Sequence, residues 1–271
     1  MENQVTDIKE DIKQAVKETK NEEIKATQNT TEVKLPSNGL INPSIKSVTL
    51  RRMTTKEVKT LHTSKDPNYL TILLLNCIVE PSNIKDTDLH PNDIIYLLFV
   101  LRKISSPRNI EQQVRCPECG KLFTSKVIVD NLTVNYYEGQ KENEFTTTLP
   151  DSGDKLTFKI LSEGELINSE KIANRQIKTN ELDEEAAEWH RLISRMACQL
   201  LTKNEMEFDE FKNKVEYLES LSAYDFESFQ QAYSDIVTKF GVKETYISQC
   251  TNCKEDVEVM AYIAPDFFRL V

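Results

Sequence analysis

Two Cys-x-x-Cys pairs stand far apart in this chain: Cys116 and Cys119 in VRCPECGK, and Cys250 and Cys253 in SQCTNCKE. A two-residue spacer lets two thiolates take adjacent corners of a tetrahedron, with backbone N–H groups of the turn facing the sulfurs. Two such pairs complete a closed all-sulfur site, which suits zinc and leaves no position open for water. Cys116, Cys119, Cys250 and Cys253 are therefore the expected ligands of one structural Zn2+, drawing two distant segments into a zinc-ribbon-like knot. Gly120 follows the first pair and supplies the backbone freedom its turn requires. The 130 residues between Cys119 and Cys250 far exceed the spacer of a short ribbon. Loop-closure entropy grows slowly with length, whereas a structural zinc is worth on the order of 10 kcal/mol. A metal can therefore clamp a long insertion.

Rival chemistries fit less well. Redox Cys-x-x-Cys pairs open a helix after a strand, and neither pair here does so. Structural disulfides belong to oxidising compartments. The start of the chain, Met1 followed by Glu, Asn and Gln, lacks the apolar stretch of a secretory signal, so the cytoplasm is the expected location. A catalytic zinc would need His, carboxylate or an open position, and none lies near in sequence. Cys77, inside LLLNCIV, and Cys198, inside RMACQLL, read as buried, inert core thiols.

The pattern along the chain predicts an α+β fold: an N-terminal helical unit plus zinc-ribbon-like β knuckles, with a β and three-helix insertion between them. Residues 1–34 contain no aromatic, Gly or Pro and read as a disordered charged arm. Val5, Ile8, Ile12, Ala15 and Val16 nevertheless recur at helical spacing, as in a segment that folds against a partner. Residues 35–105 form the helical domain. Ser47–Met53 alternates as a strand, Thr54 caps a first helix, and Asn68–Ile78 and His90–Ile104 give two more, the last with Pro91 where its missing N–H costs nothing. Residues 106–165 hold the first knuckle and β segments at Leu122–Val129, Leu132–Tyr137 and Lys155–Leu161, with a turn at Pro150–Gly153. Residues 166–241 are the helical insertion. One helix runs along Leu182, Ala186, Trp189, Ile193, Met196, Ala197 and Leu200 with Asn180 as cap. A second follows Phe208, Phe211, Val215 and Leu218. A third follows Phe226, Phe229, Tyr233, Ile236 and Val237 and is stopped by Gly241. Residues 242–271 bring the second knuckle and a C-terminal strand, Val257–Ile263.

The charge balance bears on partners. A net charge of −10 and a pI near 5.0 set up a field that repels phosphate backbones. The apolar runs are too short to span a bilayer. The three histidines, His62, His90 and His190, are scattered without metal-ligand spacing. Phosphate-loop, dinucleotide and nucleophile-elbow motifs are absent, and acidic pairs such as Asp183-Glu184-Glu185 read as first-turn helix residues. Nothing argues for an enzyme. Protein partners fit this surface best.

Several stretches taken in order carry a family resemblance. Leu35-Pro36-Ser37-Asn38-Gly39-Leu40, the strand-to-helix stretch Val48–Leu61, the Asp93–Arg102 helix (DIIYLLFVLR) and the CPECG knuckle resemble the baseplate proteins of T-even-type contractile-tailed phages. The likeness extends more loosely to Ala264-Pro265-Asp266-Phe267-Phe268-Arg269. It implies a non-enzymatic baseplate hub protein, a structural subunit or an assembly chaperone, bound to other tail and hub proteins. The implied locations are the host cytoplasm during assembly and the tail baseplate of the virion. The alternative is a zinc-ribbon nucleic-acid-binding regulator, because Arg102, Lys103, Arg108, Arg115, Lys121 and Lys126 surround the first knuckle.

Overall fold

The computed structural model describes residues 30–268, apart from 65, 67, 107–109, 182, 262 and 264. The helical spacing at Val5–Val16 and the basic residue Arg108 lie outside the described residues. The fold is α+β, with small antiparallel sheets and helices packed around three apolar cores.

The N-terminal part begins with β1 (Thr30–Lys34), which pairs with β2 (Ser47–Arg51) in register Thr30↔Arg51 to Lys34↔Ser47. The last five residues of the stretch read as a disordered arm are therefore ordered: Val33 faces inward, and the backbone pairing offsets the polar composition. Next come α1 (Thr55–Thr63), α2 (Tyr69–Cys77) and β3 (Ile78–Glu80), which pairs with β2, and then α3 (Pro91–Ser105). The caps explain the helix starts. Thr54 and Glu57 form a capping box on α1, and His90 and Asp93 do the same on α3 behind Pro91.

The buried polar side chains of this part include Arg51 and Asp93, each with several partners. Arg51 donates to both Glu57 oxygens (2.7 and 3.0 Å) and to the carbonyls of Arg52 and Asn76. Asp93 accepts the backbone N–H of Ser37 (2.8 Å) and of His90 (3.1 Å). The surrounding core includes Leu50, Leu74, Leu97 and Phe99, and the late residues Ala261, Phe267 and Phe268 complete it. Phe267 packs edge-on to Phe99 at 5.2 Å, and its carbonyl accepts from Arg102 Nε.

Two hairpins carry the cysteine pairs, β4 (Ile110–Arg115) with β5 (Leu122–Val127), and β12 (Thr245–Gln249) with β13 (Asp256–Met260). Between them lie β6 (Val134–Asn135), β7 (Phe145–Thr148), β8 (Lys155–Phe158), α4 (Glu163–Asn180), α5 (Glu184–Gln199), β9 (Leu200–Lys203), β10 (Met206–Glu207), α6 (Phe211–Glu219), α7 (Ala223–Val237) and β11 (Gly241–Val242). The insertion thus has four helices among the described residues, not three. The added one, α4, starts at a capping box in which Ser162 receives the Glu165 N–H and Glu165 receives the Ser162 N–H. Asn180 closes that helix instead of opening the next, and Asp183 caps α5 by accepting from the Ala186 N–H at 2.9 Å.

The helices also share a sheet, ordered β10-β9-β8-β7. Leu149, Leu156 and Phe158 from the β7–β8 region join Met196, Leu218, Phe229 and Ile236 in one core. That grouping crosses the position 165 drawn from sequence. Helix α7 ends at Val237, short of Gly241. Gly241 has φ of +122° and opens β11, where a Cβ would press on the Asn92 side chain at 3.1 Å. Asn92 in turn donates to the carbonyls of Val237 and Phe240, stitching α3 to the end of the insertion.

Candidate metal centre

The β4–β5 register closes at Arg115↔Leu122 and the β12–β13 register at Gln249↔Asp256, so each cysteine pair occupies a six-residue hairpin tip. A strand therefore precedes the first pair as well as the second. The two tips repeat one backbone design. Gly120 N–H donates to Cys116 O and Lys254 N–H to Cys250 O, both at 3.0 Å. Cys116 N–H donates to Lys121 O at 3.0 Å, and Cys250 N–H to Glu255 O at 2.9 Å. The fourth residue after the leading cysteine is left-handed in both, with φ of +70° at Gly120 and +67° at Lys254. That conformation is free for glycine and costs a lysine on the order of 1 kcal/mol. The equivalence extends inward: Phe123 and Val257, each seven residues past the leading cysteine, fill one small core with Val259, Cys116 and Cys250.

The hairpins meet so that all four sulfurs lie within 4.8 Å of one another. Cys116 Sγ is 3.6 Å from Cys253 Sγ, and Cys119 Sγ is 3.8 Å from Cys250 Sγ. A sulfur–sulfur bond is about 2.0 Å long, so these are free thiols. Metal–sulfur distances of about 2.3 Å at tetrahedral angles put ligand sulfurs about 3.8 Å apart. These two contacts between hairpins are close to that length, and the four cysteines could hold a metal ion. Cys116 and Cys250 are buried, while Cys119 and Cys253 are half-exposed.

The electrostatics point the same way. The backbone N–H groups of Cys253 and Asn252 favour the Cys250 thiolate and bring its pKa down to about 6. At Cys253 the Glu255 N–H has the same effect, but burial and the crowding of Cys250, Cys116 and Cys119 outweigh it and push that thiol up to about 12. Four thiols this close cannot all ionise unless a cation sits among them.

Contacts beyond the sulfurs hold the hairpins together. The Ser125 and Tyr246 hydroxyls are 2.7 Å apart, and Gln112 Nε2 donates to Met260 O at 2.8 Å. These, with Phe123 and Val257, are the supporting residues that the cysteine spacing alone did not reveal. The seven-residue offset to an apolar strand position is the signal that would have found the last two.

The other candidates lie elsewhere. Cys77 is fully buried and its thiol is pushed up to about 12 by desolvation. Cys198 is only half-buried, and burial raises its pKa too. His90 is buried at the start of α3, accepts the Asn92 N–H on Nδ1, and is held neutral by burial, with a pKa of about 3. His190 Nε2 is 2.8 Å from Gln176 Oε1, which ties α5 to α4, so the residue is more than a solvated surface group. The side chain of His62 lies outside the described residues.

The cations around the first tip are largely committed. Arg102 is buried, Lys103 pairs with Asp130, Lys126 lies 3.5 Å from Glu111, and Arg115 donates to the Gly120 carbonyl. No helix among the described residues is long and apolar enough to cross a membrane.

A protein-family model described as T4 bacteriophage base plate protein matches residues 25–269. No curated protein and no solved structure matches the chain.

Proposed function

Since the chain belongs to the T4 bacteriophage base plate protein family, we propose that it works in the baseplate hub, as a structural subunit or as an assembly chaperone, through contacts with other tail proteins. One structural zinc on Cys116, Cys119, Cys250 and Cys253 holds its two β hairpins together as a zinc ribbon. The observation that carries the zinc reading is the sulfur geometry, four thiols from two distant hairpins gathered within 4.8 Å, with two cross-hairpin pairs near the edge length of a zinc–sulfur tetrahedron. An all-sulfur, closed donor set supports a structural metal and offers no position for an activated water. Assembly in the host cytoplasm and residence in the tail baseplate follow from the same reading.

Two measurements test it. Metal analysis of the purified protein should find one zinc per chain. Iron with a sulfide-cluster absorbance, or four freely titrating thiols without metal, would overturn the zinc assignment. Mass spectrometry of finished particles beside assembly intermediates tests the hub role. Presence in both makes the chain a subunit, and presence only in intermediates makes it a chaperone. Absence from both would remove the hub reading.

A further inference from the structure

Helix α5 buries Ile193, Met196 and Ala197 in the insertion core, yet it turns the single tryptophan of the chain outward. Trp189 is 52% exposed. Its ring leans on Phe226 of α7 at 5.1 Å between centroids, and Tyr224, two residues before Phe226, is 59% exposed. Beside the indole runs a shallow groove of about 750 Å³ lined by Asp183, Glu185, Ala186, Glu188, Trp189 and Leu192. Among the described residues, Glu185 and Glu188 make no ion pair, and the neighbouring Glu184 meets Arg191 only at 3.4 Å. The patch therefore combines a half-covered aromatic anchor with carboxylates that make no ion pair among the described residues. Tryptophan is the residue type most enriched among the few that dominate binding energy at interfaces, and its face also accepts Lys and Arg.

We propose that this groove docks a cationic amphipathic segment of another baseplate protein. An apolar side chain or an Arg/Lys stem covers the Trp189 indole, and the positive charges face Glu185 and Glu188. The inference rests on the reading of the chain as a baseplate protein that acts through protein contacts. Charge selects the occupant. A second copy of this chain would bring a net charge of −10 and, in a two-fold contact, set each Glu185 and Glu188 near their own counterparts. A nucleic acid meets the same repulsion.

The test places a photocrosslinker in the full chain, as Trp189→p-benzoylphenylalanine and separately as Tyr224→p-benzoylphenylalanine, in cells assembling the phage. The linked peptide is then sequenced by mass spectrometry. The expected product is a Lys- or Arg-bearing segment of another baseplate protein. A crosslink to an acidic segment, to a second copy of this chain or to nucleic acid overturns the proposal, as does no crosslink from either position. The peptide so identified is next synthesised and titrated into the wild-type protein, whose tryptophan emission reports on this patch alone. Trp189→Ala should weaken binding about 30-fold or more, measured on labelled peptide. The Glu185→Gln/Glu188→Gln pair should weaken it about tenfold at low salt and less as salt rises. Unchanged affinity in both variants overturns the site. If the wild-type chain co-purifies with baseplate proteins but neither position crosslinks, the groove assignment alone falls. If it co-purifies with none, the reading beneath it falls.

Discussion

If Cys116, Cys119, Cys250 and Cys253 hold zinc as proposed, removing the metal should melt the two hairpin tips and leave the rest of the protein folded. Each tip, Cys116–Lys121 and Cys250–Glu255, is six residues of backbone with no ladder pairing. Ordering that much backbone costs about 12–24 kcal/mol at roughly 1–2 kcal/mol per residue. The four backbone hydrogen bonds within the tips return about 1 kcal/mol each. Structural zinc supplies about 10–16 kcal/mol, which brings the two sides to within a few kcal/mol of balance. Without it the tips fall short by about 8–20 kcal/mol. The strands beyond them still have the Ser125–Tyr246 and Gln112–Met260 bonds and the Phe123–Val257 contact region, and the two larger cores contain no tip residue. Hydrogen exchange read by mass spectrometry, with the metal stripped by a chelator or the site broken by Cys253→Ser, is the assay. Protection should vanish over residues 116–121 and 250–255 and persist in α3 and α7. Chelation that unfolds the whole chain in one cooperative step, or tips that stay protected, would refute this.

Three further outcomes follow from buried groups. Glu57→Ala should cost about 3 kcal/mol in urea unfolding, because it strips a bidentate partner from buried Arg51, and the Arg51→Met/Glu57→Ala double variant should recover much of the loss. Burial alone would raise the Glu57 carboxyl, but Arg51 and the Thr54 N–H outweigh it and hold the pKa low. The stability from this pair is thus full above the ordinary value of 4.5 and is lost as pH falls through the lowered one. Asp93 has the opposite sign: burial lifts it to about 6 from 3.8 despite the N–H groups of Ser37 and His90, so stability declines as pH rises across that window. Urea midpoints from pH 4 to 7 should show that slope in wild type and lose it in Asp93→Asn. Gly164→Ala should show none of the roughly 1 kcal/mol gain that alanine's helix preference offers in thermal unfolding, since its Cβ would lie 2.7 Å from Thr87 Cγ2 and 2.8 Å from Asp86 Oδ1 and those side chains must shift.

The cysteine pairs were legible because ligand spacing is local and survives any change in what lies between. The cap at Thr54 and the first-turn Pro91 were legible for the same reason. Strand β4 was not, because IEQQVR puts Gln112 on the side where an apolar residue would mark an inward face, and Gln112 instead spends its amide on the other hairpin. Helix α4 hid behind a polar composition and a first-turn Gly164, although Ser162 and Glu165 spell a capping box. Leu200 continued the apolar stripe of α5 so well that the switch to β9 left no trace, since the strand is defined by pairing with Phe158. The burial of Phe267 and Phe268 beneath α3 is a contact between residues more than 150 apart, which no local pattern encodes.

Separation along the chain also sets an order in time. The 130 residues between Cys119 and Cys250 take about 7–26 s to make at roughly 5–20 residues per second. Through that interval the nascent protein presents an unpartnered dithiol to whatever metals and oxidants the host offers. The N-terminal core likewise lacks its two late phenylalanines until residue 268 has been made. Closure of the four-cysteine cluster and completion of that core both wait until residues 250–268 have been made, so a chain interrupted before then has neither.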